Sequence, residues 1–399
     1  MKDSKSKLLT PTHIYKPFNY PWAYDAWLLQ QQIHWLPEEV PMGADINDWK
    51  NVLSVEEKNL LTQIFRFFTQ ADIEVADCYM TKYSNVFKPI EVKMMLTAFS
   101  NMETIHVAAY SHLIDTIGMP ESTYSEFMKY KEMKDKFDYM QNFNVDSLRD
   151  IAKTMAVFGA FTEGLQLFAS FAMLLNFPRY NKMKGMGQII TWSVRDESLH
   201  AESIIRLFRT FIEEHHEIWD DELKKELYDA CREIVTHEEA FIDLAFKMGG
   251  IEGMTATDIK QYIRFIADRR LLQLGLKPNY GVKENPLPWI DEILNAPELA
   301  NFFEQRVTEY AKASTTGVWE DIDDIKQITI YGQEGCPWCV KACDLLDNYS
   351  IPYYYVDLTN DREKKKALYK EFDTISVPMI TTNGKFVGGY LALEKLLKE

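Results

Sequence analysis

Apolar and polar positions along this chain follow one period up to about residue 311 and another from residue 325. From about residue 22, apolar side chains recur at spacings of three and four, as in amphipathic helices. The run LTQIFRFFTQADIEVADCYM lies in a helix expected over 55–86. Further helices are expected near 90–117, 147–177, 185–215, 221–247 and 256–273. Gly118-Met119-Pro120, Pro178, Gly249-Gly250 and Pro278 punctuate them. Residues 1–20, with Pro11 and Pro17, read as extended. Beyond Ile325, ITIYG and PYYYVDL read as strands, and VKACDLLDNY and REKKKALYKEF as helices. The polar, acidic stretch AKASTTGVWEDIDD (311–324) reads as a linker, and no short-period repeat is visible.

Composition narrows the function. A chain of 399 residues has room for two or three domains with ample core. Its net charge of −16 argues against nucleic acid or an anionic membrane surface as the main partner. The opening MKDSKSKLLTPTHIYKPF lacks the apolar core of a signal peptide. The most apolar stretch, LQLFASFAMLLNF (165–177), is too short to span a bilayer and reads as a buried helix. Five cysteines, two of them in one CxxC, fit a reducing compartment, so a cytoplasmic protein is expected.

Two Glu-x-x-His pairs fall in apolar helical stretches, Glu103/His106 in TAFSNMETIHVAAYSHLI and Glu197/His200 in IITWSVRDESLHAESIIRLF. Positions i and i+3 share a helix face, so each pair aims a carboxylate and an imidazole at one point. Two such helices supply half of a carboxylate-bridged dimetal site, and Asp72 and Glu163 are candidates for the lone acids on two others. A single match would be weak, since chance supplies about one in a chain of this composition. A third, Glu213-Glu214-His215-His216, sits in FIEEHHEIWDDELKKEL, which reads as a charged, solvated helix and a decoy. The bland alternative is a pair of hydrogen-bonded core histidines; buried acids without partners weigh against it.

With these motifs the helical region resembles the radical-generating β subunit of class I ribonucleotide reductase. FFTQAD, ETIH, FTEG and RDESLH match the family's metal ligands at Asp72, Glu103, His106, Glu163, Glu197 and His200. The resemblance implies an all-α ferritin-like bundle over 1–310 that works as a homodimer. It also implies two metal ions per chain, iron or manganese or a mixed pair, with an activase flavoprotein if manganese is used. Tyr110, one turn after His106, matches the tyrosine that carries the stable radical. Leu167 and Phe171 are placed to line the Glu163 pocket, and Ser193 is polar where the family is often aliphatic. Trp35 in WLPEEV matches the family tryptophan near the surface. Asp196 would link Trp35 to His106, and Tyr310 in RVTEYAKAS matches the tail tyrosine that passes the radical to a separate α subunit. There a ribonucleoside diphosphate would be reduced.

The stretch 325–399 carries a second chemistry. Cys336-Pro337-Trp338-Cys339 follows a strand and opens a helix, where the free N–H groups and the dipole favour a thiolate. No second CxxC or nearby His completes a zinc site. The segment resembles glutaredoxin, a small α/β thioredoxin-fold domain. The resemblance makes Cys336 the nucleophile and Cys339 the resolving thiol. Val377-Pro378 matches the cis-proline loop and Gly388-Gly389 the glycine pair that holds glutathione, although Tyr390-Leu391-Ala392-Leu393 follows where acids are common. Tyr331 and Lys341 are minor candidates for substrate contact, and Cys343 reads as a buried small residue. A glutaredoxin can reduce the disulfide that each turnover leaves in α, and tethering raises its effective concentration there. Two other classes fit parts of the pattern. A ferritin-like store or small-substrate oxidase would not need Tyr110, Trp35 and Asp196 in relay register, and a redox-sensing scaffold would not need six ligands.

Overall fold

In the computed structural model the described residues are 7–11, 14–295, 328–333, 335–348, 353–372, 374–382 and 385–397. Tyr310 and the stretch 311–324 lie outside them. The chain divides into two compact units, Met1–Gly317 and Val318–Glu399.

The first unit is helical among its described residues. Its helices are α1 (Pro21–Gln32), the short α2 (Gly43–Asn47), α3 (Val55–Asp77), a single turn α4 (Ser84–Val86), α5 (Ile90–Thr116), α6 (Thr123–Glu126), α7 (Lys131–Met140), α8 (Leu148–Met155), α9 (Leu167–Arg179), α10 (Lys184–Glu214), α11 (Asp221–Ala245), α12 (Ala256–Gln273) and α13 (Pro288–Asn295). Local chemistry sets several starts. Ser54 with Glu57, Ser147 with Asp150, and Thr255 with Asp258 form reciprocal caps at the heads of α3, α8 and α12, each contributing about 1 kcal/mol. Buried Asp45 accepts the N–H groups of Gly185 and Met186 at 2.9 and 2.8 Å and so caps α10 from a distance. One continuous apolar core joins these helices.

Three described stretches take π geometry, the first being the short turn Asp48–Val52 after α2. Cys78–Tyr83 follows α3 as a π-turn, and Ala156–Gln166 is an eleven-residue π-helix between α8 and α9. A π-turn inserts extra backbone without ending a helix, so an apolar pattern does not reveal it. Leu148–Arg179 is therefore one rod that runs through Pro178, which sits in its last turn rather than ending it. The rod is long and apolar enough to cross a bilayer, unlike the shorter segment read from the sequence, but here its apolar eighteen-residue stretch is wholly buried inside the bundle. FIEEHHEIWDDELKKEL is not one solvated helix. It breaks at His215, and Glu214 accepts from Leu8 N–H at 3.1 Å and from the Tyr20 hydroxyl, holding the N-terminal segment down.

In the second unit, β1 (Ile328–Gly332), α14 (Pro337–Asn348), β2 (Tyr353–Asp357), α15 (Arg362–Glu371), β3 (Met379–Thr382), β4 (Lys385–Gly388) and α16 (Tyr390–Leu396) form a sheet of order β2-β1-β3-β4. β1 runs parallel to β2 and antiparallel to β3, which pairs antiparallel with β4. Ile328, Ile330, Ala342, Leu346, Ile380 and Leu393 pack α14 and α16 on one face, and Leu358, Leu368 and Met379 pack α15 on the other. Cys343 is only half-buried, at the edge of the first cluster, rather than buried.

Candidate metal centre and redox site

Four rods of the first unit bring six ionisable side chains into one dry pocket. Asp72 comes from α3, Glu103 and His106 from α5, Glu163 from the π-helix, and Glu197 and His200 from α10; all are buried. Two overlapping groups are spaced as ligand sets, Asp72/Glu103/His106 and Glu103/Glu163/Glu197/His200, with Glu103 common to both. His106 Nδ1 lies 3.1 Å from Glu197 Oε1 and 3.4 Å from Glu103 Oε2. His200 Nδ1 lies 2.8 Å from Glu103 Oε1 and 3.5 Å from Glu163 Oε1. Glu103 and Glu197 thus each approach both imidazoles, as bridging carboxylates would.

The far ring nitrogens point away from the pocket. His106 Nε2 is 3.3 Å from Asp196 Oδ2, and His200 Nε2 is 3.0 Å from Gln30 Oε1. Those acceptors favour the Nε2–H tautomer and leave both Nδ1 lone pairs facing the pocket, where they can ligate a metal. Gln30 also donates to Asp196 Oδ1 at 3.4 Å.

The pocket suits a metal pair because its polar atoms are otherwise stranded. Both oxygens of Asp72, Glu103 and Glu197, Oε2 of Glu163 and both Nδ1 atoms are buried without a hydrogen bond. Buried acids normally find partners. Burial, reinforced by the Glu103 carboxylate, holds Asp72 well above the usual carboxylate range. Burial also pushes Glu163 up to about 8. Burial works against ionising Glu103 too, but His106 and His200 overcome it and hold it down to about 2. Four carboxylates balance two divalent cations, and oxygen with imidazole donors suits iron or manganese.

Tyr110 lies one turn beyond His106, with ring centroids 6.1 Å apart. Burial keeps its phenol protonated, its hydroxyl pairs with Ser193, and Phe68 packs on it at 4.4 Å. Phe171 stands edge-on to Phe68 at 5.5 Å, one residue removed from Tyr110, and Leu167 is buried nearby in the chain. Trp35 is only 2% exposed, so within this chain it is a core residue and not a surface one. Its indole N–H donates to Asp196 Oδ2 at 2.7 Å, and its ring lies 6.0 Å from His106 and 5.2 Å from Trp192.

Sequence reasoning missed Tyr79 and Gln30. Tyr79 donates to Glu163 Oε1 at 2.6 Å. It falls seven residues after Asp72, two helical turns on, so the same-face rule would have found it. Gln30 belongs to no motif and is placed only by the packing of α1.

In the second unit Cys336 and Cys339 form a disulfide at the head of α14, and Cys339 N–H donates to Cys336 Sγ at 3.1 Å. The peptide bond Val377-Pro378 is cis, and Cys336 Sγ lies 3.8 Å from Val377 O. Gly388 has φ +137°, and a Cβ there would lie 2.7 Å from Ala392 Cβ. The Trp338 ring lies 5.4 Å from that of Tyr390 at a 41° tilt, with Lys341 Nζ 4.5 Å from the Trp338 ring. Tyr331 instead packs on Phe372 at 6.1 Å.

The family model described as "Ribonucleotide reductase, small chain" matches residues 13–286, and that described as "Glutaredoxin" matches 328–387. The chain is 47% identical over 331 residues to a probable ribonucleoside-diphosphate reductase small subunit of Invertebrate iridescent virus 3, across 78% of this chain and 88% of the relative. It is 31% identical over 312 residues to the ribonucleoside-diphosphate reductase subunit beta of Chlamydia pneumoniae, across 74% and 89%. The fold is shared with the ribonucleotide reductase R2 subunit from Clostridium botulinum, with TM-score 0.65 and 22% identity over 72% of this chain and 99% of that one.

Proposed function

Because the chain belongs to the ribonucleotide reductase small-chain family, a dimetal family, and carries a glutaredoxin domain, we propose that it makes the radical with which a separate large subunit reduces ribonucleoside diphosphates. Asp72, Glu103, His106, Glu163, Glu197 and His200 would hold the metal pair. The observation that carries this reading is the set of buried acids and Nδ1 atoms that have no hydrogen-bond partner except through a cation. Iron or manganese fits equally by ligand type. Once oxidised, a bound pair would supply a one-electron acceptor for Tyr110.

The remaining steps belong to the protein. Burial and the wall of Phe68 keep water from Tyr110. Asp196 holds the Trp35 N–H and the His106 Nε2 on one oxygen, which gives an electron and its proton a short connected route. Tyr310 is proposed as the next carrier toward the large subunit. Residues 1–310 would form the radical domain, 311–324 the tether and 325–399 the reductase. Cys336 would attack the large subunit's disulfide and Cys339 would release it, with glutathione held by Val377, Pro378, Gly388 and Gly389 and serving as the electron source.

Loading the apo-protein with Fe(II), adding O2 and recording EPR beside a metal count tests the reading. About two metals per chain are expected, with a tyrosyl signal whose lineshape vanishes in Tyr110→Phe. No stoichiometric metal would sink the assignment.

A further inference from the structure

Two phenols reach the acid cluster, one beside each histidine. The Tyr110 ring lies 6.1 Å from His106, and the Tyr79 ring 6.3 Å from His200. Their hydrogen bonds differ in kind. Tyr110 pairs with Ser193, whose own hydroxyl donates to Ile189 O at 3.0 Å. Tyr79 donates to a carboxylate oxygen, Glu163 Oε1, at 2.6 Å. The Glu163 oxygens are thereby divided, with Oε1 taken by the phenol while Oε2 has no partner and faces the ligand cluster.

We propose that Tyr79 is a second redox-active phenol of this centre, which gives up an electron to it while its proton passes to Glu163. The inference rests on the dimetal reading above. A phenol that loses an electron becomes a strong acid, and a proton stranded in an apolar site is costly. Oxidation is therefore helped where a base is already in hydrogen-bond contact, as Glu163 is at Tyr79. The step balances simply. One electron would leave the Tyr79 ring for a bound metal pair, once O2 had oxidised that pair. The O–H bond breaks and its proton crosses the 2.6 Å hydrogen bond to Oε1. A neutral phenoxyl and a protonated carboxyl remain, and re-reduction reverses both transfers.

The surroundings supply a continuation. The Tyr83 ring lies 5.8 Å from Tyr79, and its hydroxyl donates to Thr154 O at 3.1 Å. Cys78 pairs with that same hydroxyl. These three oxidisable side chains share the π-turn Cys78–Tyr83 and are not part of the Trp35–Asp196 line. Tyr79 would give an oxidised centre a defined place to discharge when Tyr110 cannot be oxidised.

Full-length Tyr110→Phe, loaded with Fe(II) and freeze-quenched after O2 addition, is expected to show a tyrosyl EPR signal distinct from that of the wild type. Adding Tyr79→Phe should abolish that signal while both metals stay bound. A Tyr110→Phe protein that binds metal and consumes O2 without a tyrosyl signal overturns the proposal, as does a signal that survives the double substitution. If the double variant does not fold, 3,5-difluorotyrosine at position 79 in the Tyr110→Phe chain replaces it. Fluorine hyperfine splitting then supports the proposal, and an unsplit signal overturns it. A wild-type chain that binds metal but forms no Tyr110 radical would instead remove the radical reading, so the two failures are distinct.

Discussion

Trp35 donates its indole N–H to Asp196 Oδ2 at 2.7 Å, the same oxygen that lies 3.3 Å from His106 Nε2. The other Asp196 oxygen faces donors as well, Gln30 Nε2 at 3.4 Å and an Arg195 nitrogen at 3.5 Å. Burial resists ionisation of Asp196, but His106 and Arg195 hold its carboxyl below the usual range. Asp196→Asn is nearly isosteric, yet it must turn an N–H toward one of these donors. Nucleotide reduction with the large subunit is expected to fall about 10–100-fold, while the metal count and the Tyr110 signal persist. Parallel loss of metal would show that Asp196 only supports His106.

Glu163, a proposed metal ligand, depends on its neighbour. Gly164 O accepts from Arg270 Nε at 2.7 Å, and a Cβ on Gly164 would stand 2.7 Å from that same nitrogen. The buried Arg270 guanidinium thus adds a tertiary hold to the π-helical backbone next to Glu163. Gly164→Ala should push Arg270 aside, lower stability by about 1–3 kcal/mol and weaken metal binding about tenfold. Chelator competition and thermal melts check the two effects separately. Unchanged metal affinity would mean that the π-helix needs no such brace.

The sequence made the site legible because its signals are local. Two Glu-x-x-His pairs each declare a face within one turn, and Tyr110 follows His106 by one turn more. Asp72 and Glu163 have no such local mark; they stood as candidates by their place ahead of the two pairs, and the family resemblance singled them out as ligands. The π-helix around Glu163 was invisible because it preserves an apolar run while changing its register. Gln30 and Arg270 were illegible for another reason. Each acts across more than a hundred residues, on His200 and on Gly164, and nothing near them in sequence announces that partner. Strands β3 and β4 were passed over because four residues each give too short an alternation to read.

Lys136 and Glu238 form a fully buried ion pair at 2.6 Å between α7 and α11, with Lys136 Nζ 4.6 and 4.4 Å from the rings of Phe67 and Phe241. Burial pushes the Glu238 carboxyl up, and Lys136 draws it back. In Lys136→Met only the upward push remains, so the folded value exceeds the unfolded one. Such a group favours the fold below its unfolded pKa, and that contribution is lost as pH rises through the folded value. The variant should therefore lose about 3–5 kcal/mol at neutral pH and recover part of it toward pH ~4.5. Adding Glu238→Gln should remove the pH dependence. Urea midpoints for wild type and variants across this range decide it, and a gap independent of pH would be wrong for a buried acid.

Cys336 and Cys339 are placed for unequal roles. Cys336 is 8% exposed and receives the Cys339 N–H at the head of α14, whereas Cys339 is 2% exposed. Free N–H groups at a helix start favour a thiolate, and Cys336 is the more exposed sulfur, so it is proposed as the one a substrate disulfide meets. With the large subunit and a glutathione-regenerating system, Cys336→Ser should abolish turnover. Turnover driven by dithiothreitol should stay within about twofold, since that reagent bypasses the domain. Cys339→Ser should accumulate a mixed disulfide at Cys336, visible on a non-reducing gel, because no second thiol releases it. Glutathione-driven turnover that survives Cys336→Ser would mean that the fused domain serves some other disulfide. Turnover that falls equally with both reductants would point to damage in the radical unit instead.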